Sequence, residues 1–311
     1  MTFWEAVNAR RFSTAGIVLM LGAGSLFASA CRKAASDASP VASSSGPPVA
    51  PSAPSQTAIQ AKGGAMLRIP GGSFQMGETW VANAQPVHEV KVEPFEMDVT
   101  EVTVEAFRAC VDSGACKAYD TANWKGITEA NRRKFGAECN WGKSDRDKHP
   151  INCVDWDQAT AHCKWAGKRL PTEEEWEYAA RGTEGRKYPW GSTEPSAKLV
   201  NACGLECVAR AKRVQSGPGK PLYDEDDGWE TTARVGSYSA GATPLGLLDM
   251  VGNVEEWTAS GYSENYSKVR STSQRVIRGD SFSSAAGPST ISRFGRDTGD
   301  RVYNVGFRCV R

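Results

Sequence analysis

Apolar positions in this chain recur at two periods, and the changes of period mark its elements. Val104, Phe107 and Val111 share a face at helical spacing, so residues 103–111 are predicted as a helix that Gly114 ends. A second helix begins at its cap, Asp155, with Gln158 three residues on and Gly167 past its end. Thr172 and Glu175 form a capping box for a third. Glu173, Glu174 and Glu175 fill that helix's first turn, where the helix dipole favours carboxylates. Consecutive helical residues point in different directions, so the trio is a helix start and not a catalytic cluster. Elsewhere the period drops to two. Val90 and Val92 alternate with charged residues, and 275–278 and 305–310 are predicted as further strands. Short runs broken by Gly, Pro, Ser and Asn, with 31 glycines and 10 tryptophans, predict an α+β fold of low regular content.

The first 64 residues follow neither period. Arg10 and Arg11 precede a stretch, 15–30, that is apolar or small throughout. It is short and lacks a stop-transfer pattern, which favours a signal over a permanent span. Ala28-Ser29-Ala30-Cys31 resembles a bacterial lipobox, although Ala28 stands where Leu is usual. Residues 1–31 are therefore expected to be a lipoprotein signal with Cys31 lipidated. The alternative is an ordinary signal peptide cut after Ala-x-Ala. Residues 32–64 are rich in Ala, Ser and Pro and contain no aromatic residue, so they are expected to be a disordered tether. Residues 65–311 then form one domain. The expected location is the bacterial cell envelope, exported and held by a lipid anchor facing the periplasm or the exterior.

Charge excludes one class of partner. Lys and Arg number 37 against 36 Asp and Glu, with no basic stripe, so nucleic acid is not expected. Of nine cysteines, Cys31 is set aside, and the even remainder in an exported chain favours disulfides.

Several separate motifs occur in a fixed order. They include Ile69-Pro70-Gly71-Gly72-Ser73-Phe74-Gln75-Met76-Gly77, Met97-Asp98-Val99-Thr100-Glu101-Val102-Thr103 and His149-Pro150-Ile151-Asn152. Gly167-Lys168-Arg169-Leu170-Pro171-Thr172, Val251-Gly252-Asn253-Val254-Glu255-Glu256-Trp257, Arg278-Gly279-Asp280-Ser281-Phe282 and Gly306-Phe307-Arg308-Cys309 follow. Together they are similar to the formylglycine-generating enzyme, or sulfatase-modifying factor, family over roughly residues 66–311. The resemblance implies that family's fold, a variant of the C-type lectin fold. It also implies a Cys163–Cys309 disulfide. Short spacing suggests Cys110–Cys116 and Cys203–Cys207, which leaves Cys139 with Cys153. A metal site at Cys203 and Cys207 is the weaker reading, because no His or second Cys pair completes a tetrahedron.

The resemblance also implies a departure. Ser284 and Ser289 stand where the family carries its two copper cysteines, while Ser281 matches an active-site serine. Copper(I) selects thiolates and a hydroxyl is hard, so copper is not expected. A serine hydrolase would need an adjacent base, and none of His88, His149 and His162 is placed by motif near Ser284. Two calcium loops are implied. One is Asp249, the carbonyls of Gly252 and Val254, and Glu256; the other is Asn201, the carbonyl of Ala202, Asp227 and the carbonyl of Trp229. Oxygen donors of this kind suit a hard cation. The bland alternative is that these residues form turns and that 224–227 is a solvated acidic run. The functional expectation is a calcium-stabilised binding or structural module for a peptide, glycan or protein. The alternative is an oxidative enzyme of the same superfamily with a non-standard active site.

Overall fold

The structure, a computed structural model, describes residues 57–287 and 289–311. The expected signal, Cys31 and most of the expected tether lie outside them. The tether ends sooner than its composition suggested. Ile59–Ala61 is a strand, β1, paired antiparallel with β2 (Gly64–Ile69) in the register Ile59↔Met66. Gly63 at φ +82° makes the tight turn between them. A segment poor in apolar residues is ordered here by ladder hydrogen bonds, which composition does not register.

Three small sheets follow. β5 (Phe95–Asp98) pairs with β2, so the first sheet runs β1-β2-β5. β3 (Gly72–Met76) and β4 (His88–Val92) form a ribbon that includes the predicted Val90 and Val92. The third sheet has the order β8-β7-β6-β9, from β6 (Glu255–Gly261), β7 (Gln274–Arg278), β8 (Arg293–Asp297) and β9 (Val305–Gly306). Among the described strands only β9 pairs parallel, against β6. The strand expected over 305–310 is thus two residues long. Beyond Gly306 the chain crosses to the first sheet, where Val310 bridges Met97 and Arg169.

Two helices start where their predicted caps place them, and the one expected from residue 103 uses Thr103 as its cap. α1 (Val104–Asp112) is capped by Thr103, α3 (Trp156–Trp165) by an Asp155–Gln158 capping box, and α4 (Glu173–Arg181) by a Thr172–Glu175 capping box. Two helices escaped the periodicity. α2 (Glu129–Gly136) buries only Phe135, and α5 (Leu205–Val214) starts at Gly204 without a side-chain cap.

One core lies under α4, where Trp176, Ala179 and Ala180 pack on Ile69, Met76 and Met97. A second joins Phe107 of α1 and Cys163 of α3 to Trp257, Ile277 and Phe307. Among the described residues four disulfides are present: Cys110–Cys116, Cys139–Cys153, Cys163–Cys309 and Cys203–Cys207. Cys163–Cys309 spans a sequence separation of 146 and ties α3 to the C-terminal segment. A closed loop of that size removes denatured-state entropy worth about 4–5 kcal/mol.

Candidate functional site

Backbone hydrogen bonds stitch three distant loops into one base. Asn253 N donates to Asn201 O at 2.8 Å, and Gly252 N donates to Gly279 O at 2.8 Å. Phe282 N donates to Asn253 O at 3.0 Å, and Cys203 N donates to Ser284 O at 3.2 Å. Glycine is required at the junction. Gly252 has φ +78°, and a Cβ there would sit 2.4 Å from Asn201 O. Asp249, Asn253 and Asp280 are also left-handed, with φ of 53°, 52° and 57°. Asx residues tolerate that conformation best. Strained backbone therefore gathers where the sequence-predicted residues meet.

The three serines are turn formers in this base. Ser284 Oγ accepts from Ser281 N at 3.0 Å, and Ser284 N donates back to Ser281 O at 2.9 Å. Ser289 Oγ accepts from Ile291 N at 3.1 Å. Ser281 Oγ lies 3.1 Å from Ser283 Oγ and accepts from Asn304 Nδ2 at 3.1 Å. No histidine is among these partners. His149 instead meets Thr232 Oγ1 at 3.1 Å, and burial drops its imidazole to about 4. His162 stacks on Phe107, and burial drops it to about 3.

Sequence reasoning missed a pair of carboxylates beside Ser281. Asn304 Nδ2 bridges Ser281 Oγ and Glu255 Oε2, each at 3.1 Å. Burial, reinforced by Asp280, pushes Glu255 up to about 7. Burial also pushes Asp280 up to about 6, against the hydrogen bonds it accepts from Ser292 and from Ser289 N. Both acids lie within the ordered motifs, but nothing in those motifs pairs them, because what perturbs each is packing between loops.

The residues of the first candidate cation loop are buried together. Asp249 Oδ2 accepts from Gly236 N at 2.6 Å. Glu256 accepts from Trp176 Nε1 at 2.9 Å and from Arg308 Nε and Nη2 at 2.9 and 2.8 Å. Glu255 and Glu256 face opposite ways, as their adjacency on a strand requires. Glu101 also joins this group. Burial first and then Asp249 hold its carboxyl well above the usual range.

In the second loop, Asn201 Nδ2 donates to Thr231 O at 3.0 Å and to Asn253 Oδ1 at 3.2 Å. Asp227 Oδ1 accepts from Trp229 N at 2.9 Å, and its Oδ2 accepts from the Tyr223 hydroxyl at 2.7 Å. Burial pushes Asp227 up to about 7.

The second loop passes a fit test for a hard cation, since buried Asn201 Oδ1 lacks a hydrogen-bond partner among the described residues. In the first loop Asp249 and Glu256 already accept hydrogen bonds, and the oxygens left over there belong to Glu101, outside the loop. Such groups are rare unless an ion or water completes them. Glu256 is already taken up by Trp176 Nε1 and by Arg308 Nε and Nη2, which together occupy the about four lone-pair sites a carboxylate offers. Cys110, Cys116 and His162 also lie within ligand distance of one another, but the two sulfurs are bonded to each other.

The sulfatase-modifying factor enzyme 1-like domain family matches residues 51–311. The inactive Cα-formylglycine-generating enzyme 2 of Bos taurus is 32% identical over 286 residues, covering 79% of this chain and 87% of that one. The formylglycine-generating enzyme of Streptomyces coelicolor is 32% identical over 290 residues, covering 78% and 88%. Among solved structures, PvdO from Pseudomonas aeruginosa is similar with a TM-score of 0.62 at 23% identity, over 82% of this chain and 97% of that one. That likeness concerns the fold.

Proposed function

The chain belongs to the sulfatase-modifying factor family, and on that premise we propose that it is a calcium-stabilised binding module that has lost the family's copper chemistry. It is exported and held to a membrane through Cys31, and its ligand is a peptide, glycan or protein. The observation that carries this reading is the use made of Ser284 and Ser289. Both hydroxyls are taken up by backbone N–H groups at 3.0 and 3.1 Å, and neither can supply a thiolate. A relative named as inactive, matching at full domain length, supports the same reading.

Calcium would be held at Asp249, Glu256 and the carbonyls of Gly252 and Val254. A second ion would be held at Asn201, Asp227 and the carbonyls of Ala202 and Trp229. It supplies positive charge that ties the three loops of the base together, and no reaction step. The chain's own residues fix the loops: Gly252 permits their close approach, and Asn253 bonds to both Asn201 and Phe282.

A second reading rests on the acids around Ser281. Glu255 and Asp280 are buried carboxylates poised near neutrality, a common property of reactive sites. On that reading the chain is an oxidative member of the superfamily with a non-standard site.

One experiment separates them. The purified protein, supplied with copper(I), oxygen and a Cys-x-Pro-x-Arg peptide, should form no formylglycine by mass spectrometry. Calcium should raise its melting temperature, and Asp249→Ala should remove most of that rise. Copper-dependent conversion of the peptide by the wild type would reverse the choice.

A further inference from the structure

His162 is a polar side chain with nothing to bond. It is fully buried in α3, stacked on Phe107 at 5.6 Å and flanked by Trp165 and Phe307. Neither Nδ1 nor Nε2 has a hydrogen-bond partner among the described residues. Leaving buried polar groups unpaired is costly. Burial keeps the imidazole neutral, so one ring nitrogen holds a free lone pair. What lies beside it is sulfur. A ring nitrogen of His162 and the Sγ atoms of Cys110 and Cys116 are all within 4.8 Å of one another, and both cysteines are buried. Those sulfurs are joined in a cross-link with a sequence separation of 6, against 146 for Cys163–Cys309; only Cys203–Cys207, at 4, is shorter. Stabilisation by a disulfide grows with the loop it closes, so Cys110–Cys116 constrains the unfolded chain far less than Cys163–Cys309 does.

We propose that Cys110, Cys116 and His162 form a zinc site when the Cys110–Cys116 disulfide is opened, so that oxidation and metal binding compete for the same two sulfurs. A dithiol reductant supplies two electrons and two protons. The S–S bond breaks, two thiols form, and the reductant leaves as its own disulfide. Zinc then displaces both thiol protons and takes two thiolates and the free ring nitrogen. Thiolate and imidazole are the donors that suit zinc over a hard cation. Two thiolates, a neutral imidazole and a divalent ion sum to zero charge, which fits surroundings made of Phe107, Trp165 and Phe307. The next residue in α3, Cys163, is tied to Cys309, so the histidine stays anchored while its neighbouring cross-link opens. Water completes the fourth zinc position. A cavity of about 650 Å³ gives it a route, lined by Ala106 and Ala109 of α1, Gly63 and Trp165. A Cβ on Gly63 would sit 3.3 Å from His162 Nε2, so the ring lies directly beneath that wall.

The competing arrangement is a purely structural disulfide beside an idle histidine. Full-length protein treated with graded phosphine reductant separates the two, with free thiols mapped by alkylation and peptide mass spectrometry. Cys110 and Cys116 should become free while Cys163–Cys309 stays closed. That form should bind zinc in competition with a chromophoric chelator, and zinc should shield both thiols from alkylation. Cobalt(II) in place of zinc should give thiolate-to-metal charge-transfer bands, absent from the oxidised protein and from the double variant Cys110→Ser, Cys116→Ser. His162→Gln should weaken zinc by at least about tenfold, the loss that even an outer-shell partner of a metal ligand produces. If Cys110–Cys116 opens only together with Cys163–Cys309, or if the opened pair binds no zinc, the proposal is overturned. It is also overturned if reduced His162→Gln binds zinc as tightly as wild type. Should His162→Gln fold poorly, X-ray absorption of the zinc-loaded wild type decides, because a ligating imidazole scatters with its own outer-shell pattern and the absence of that pattern removes His162 from the site.

Discussion

Asp280 shows how one residue can carry a pH response. Its carboxyl sits near 6 in the folded chain, pushed there by burial, against about 4 in an unfolded one. The folded state therefore binds the proton more tightly. Asp280 favours folding most below about pH 4, and that contribution is lost as pH rises through about 6. The difference corresponds to a burial penalty on the order of 3 kcal/mol at neutral pH. Asp280→Asn keeps an acceptor for Ser289 N and suits φ +57°. The variant should be more stable than wild type at about pH 8, with the gap closing toward about pH 5. Urea melts at both values check this. A gap that does not change with pH would mean Asp280 keeps an ordinary carboxyl.

At the scale of elements, the first turn of α4 separates residues that look alike in sequence. Glu173 is fully buried and bonds Arg293 Nε at 2.6 Å, with Arg278 Nη1 at 3.4 Å. Glu175 completes the capping box and pairs with Arg169 at the surface. Glu174 pairs with Arg270. Removing one member of a buried ion pair strands its partner, so Glu173→Gln should cost about 3–5 kcal/mol. Glu175→Gln retains a capping side chain and loses only a surface pair, so it should cost less than about 1 kcal/mol. Thermal or denaturant unfolding of the two variants checks the contrast. Equal losses would mean that Glu173 is not buried as an ion pair.

For the whole molecule, the domain and its expected anchor make separate predictions. The described residues contain no helix long and apolar enough to cross a membrane, and the expected anchor, Cys31, lies outside them. In a bacterial host the full chain should incorporate labelled palmitate and sediment with membranes. Cys31→Ser should lose both properties. A Cys31→Ser protein that still sediments with membranes would point to another means of attachment.

Much of this protein follows from sequence alone, because some structure is made by neighbours in the chain. Thr103, Asp155 and Thr172 start helices through hydrogen bonds to residues three positions on, and that spacing can be read directly. The family and its fold were legible in the ordered motifs; the loss of two cysteines at Ser284 and Ser289 is what the resemblance implies, and it stays part of the proposal. Composition misjudged Ile59–Ala61, since a strand edge can be ordered by pairing alone. The rest required the folded chain. Asn201, Asn253 and Gly279 meet through bonds between loops tens of residues apart. Glu255 was placed beside Ser281 through Asn304, and Glu101 beside Asp249, only when sheets and loops packed. Periodicity reports which face of an element is buried, but not which distant charge will lie against it. Desolvation and charge balance, which perturb these acids, exist only in the packed interior.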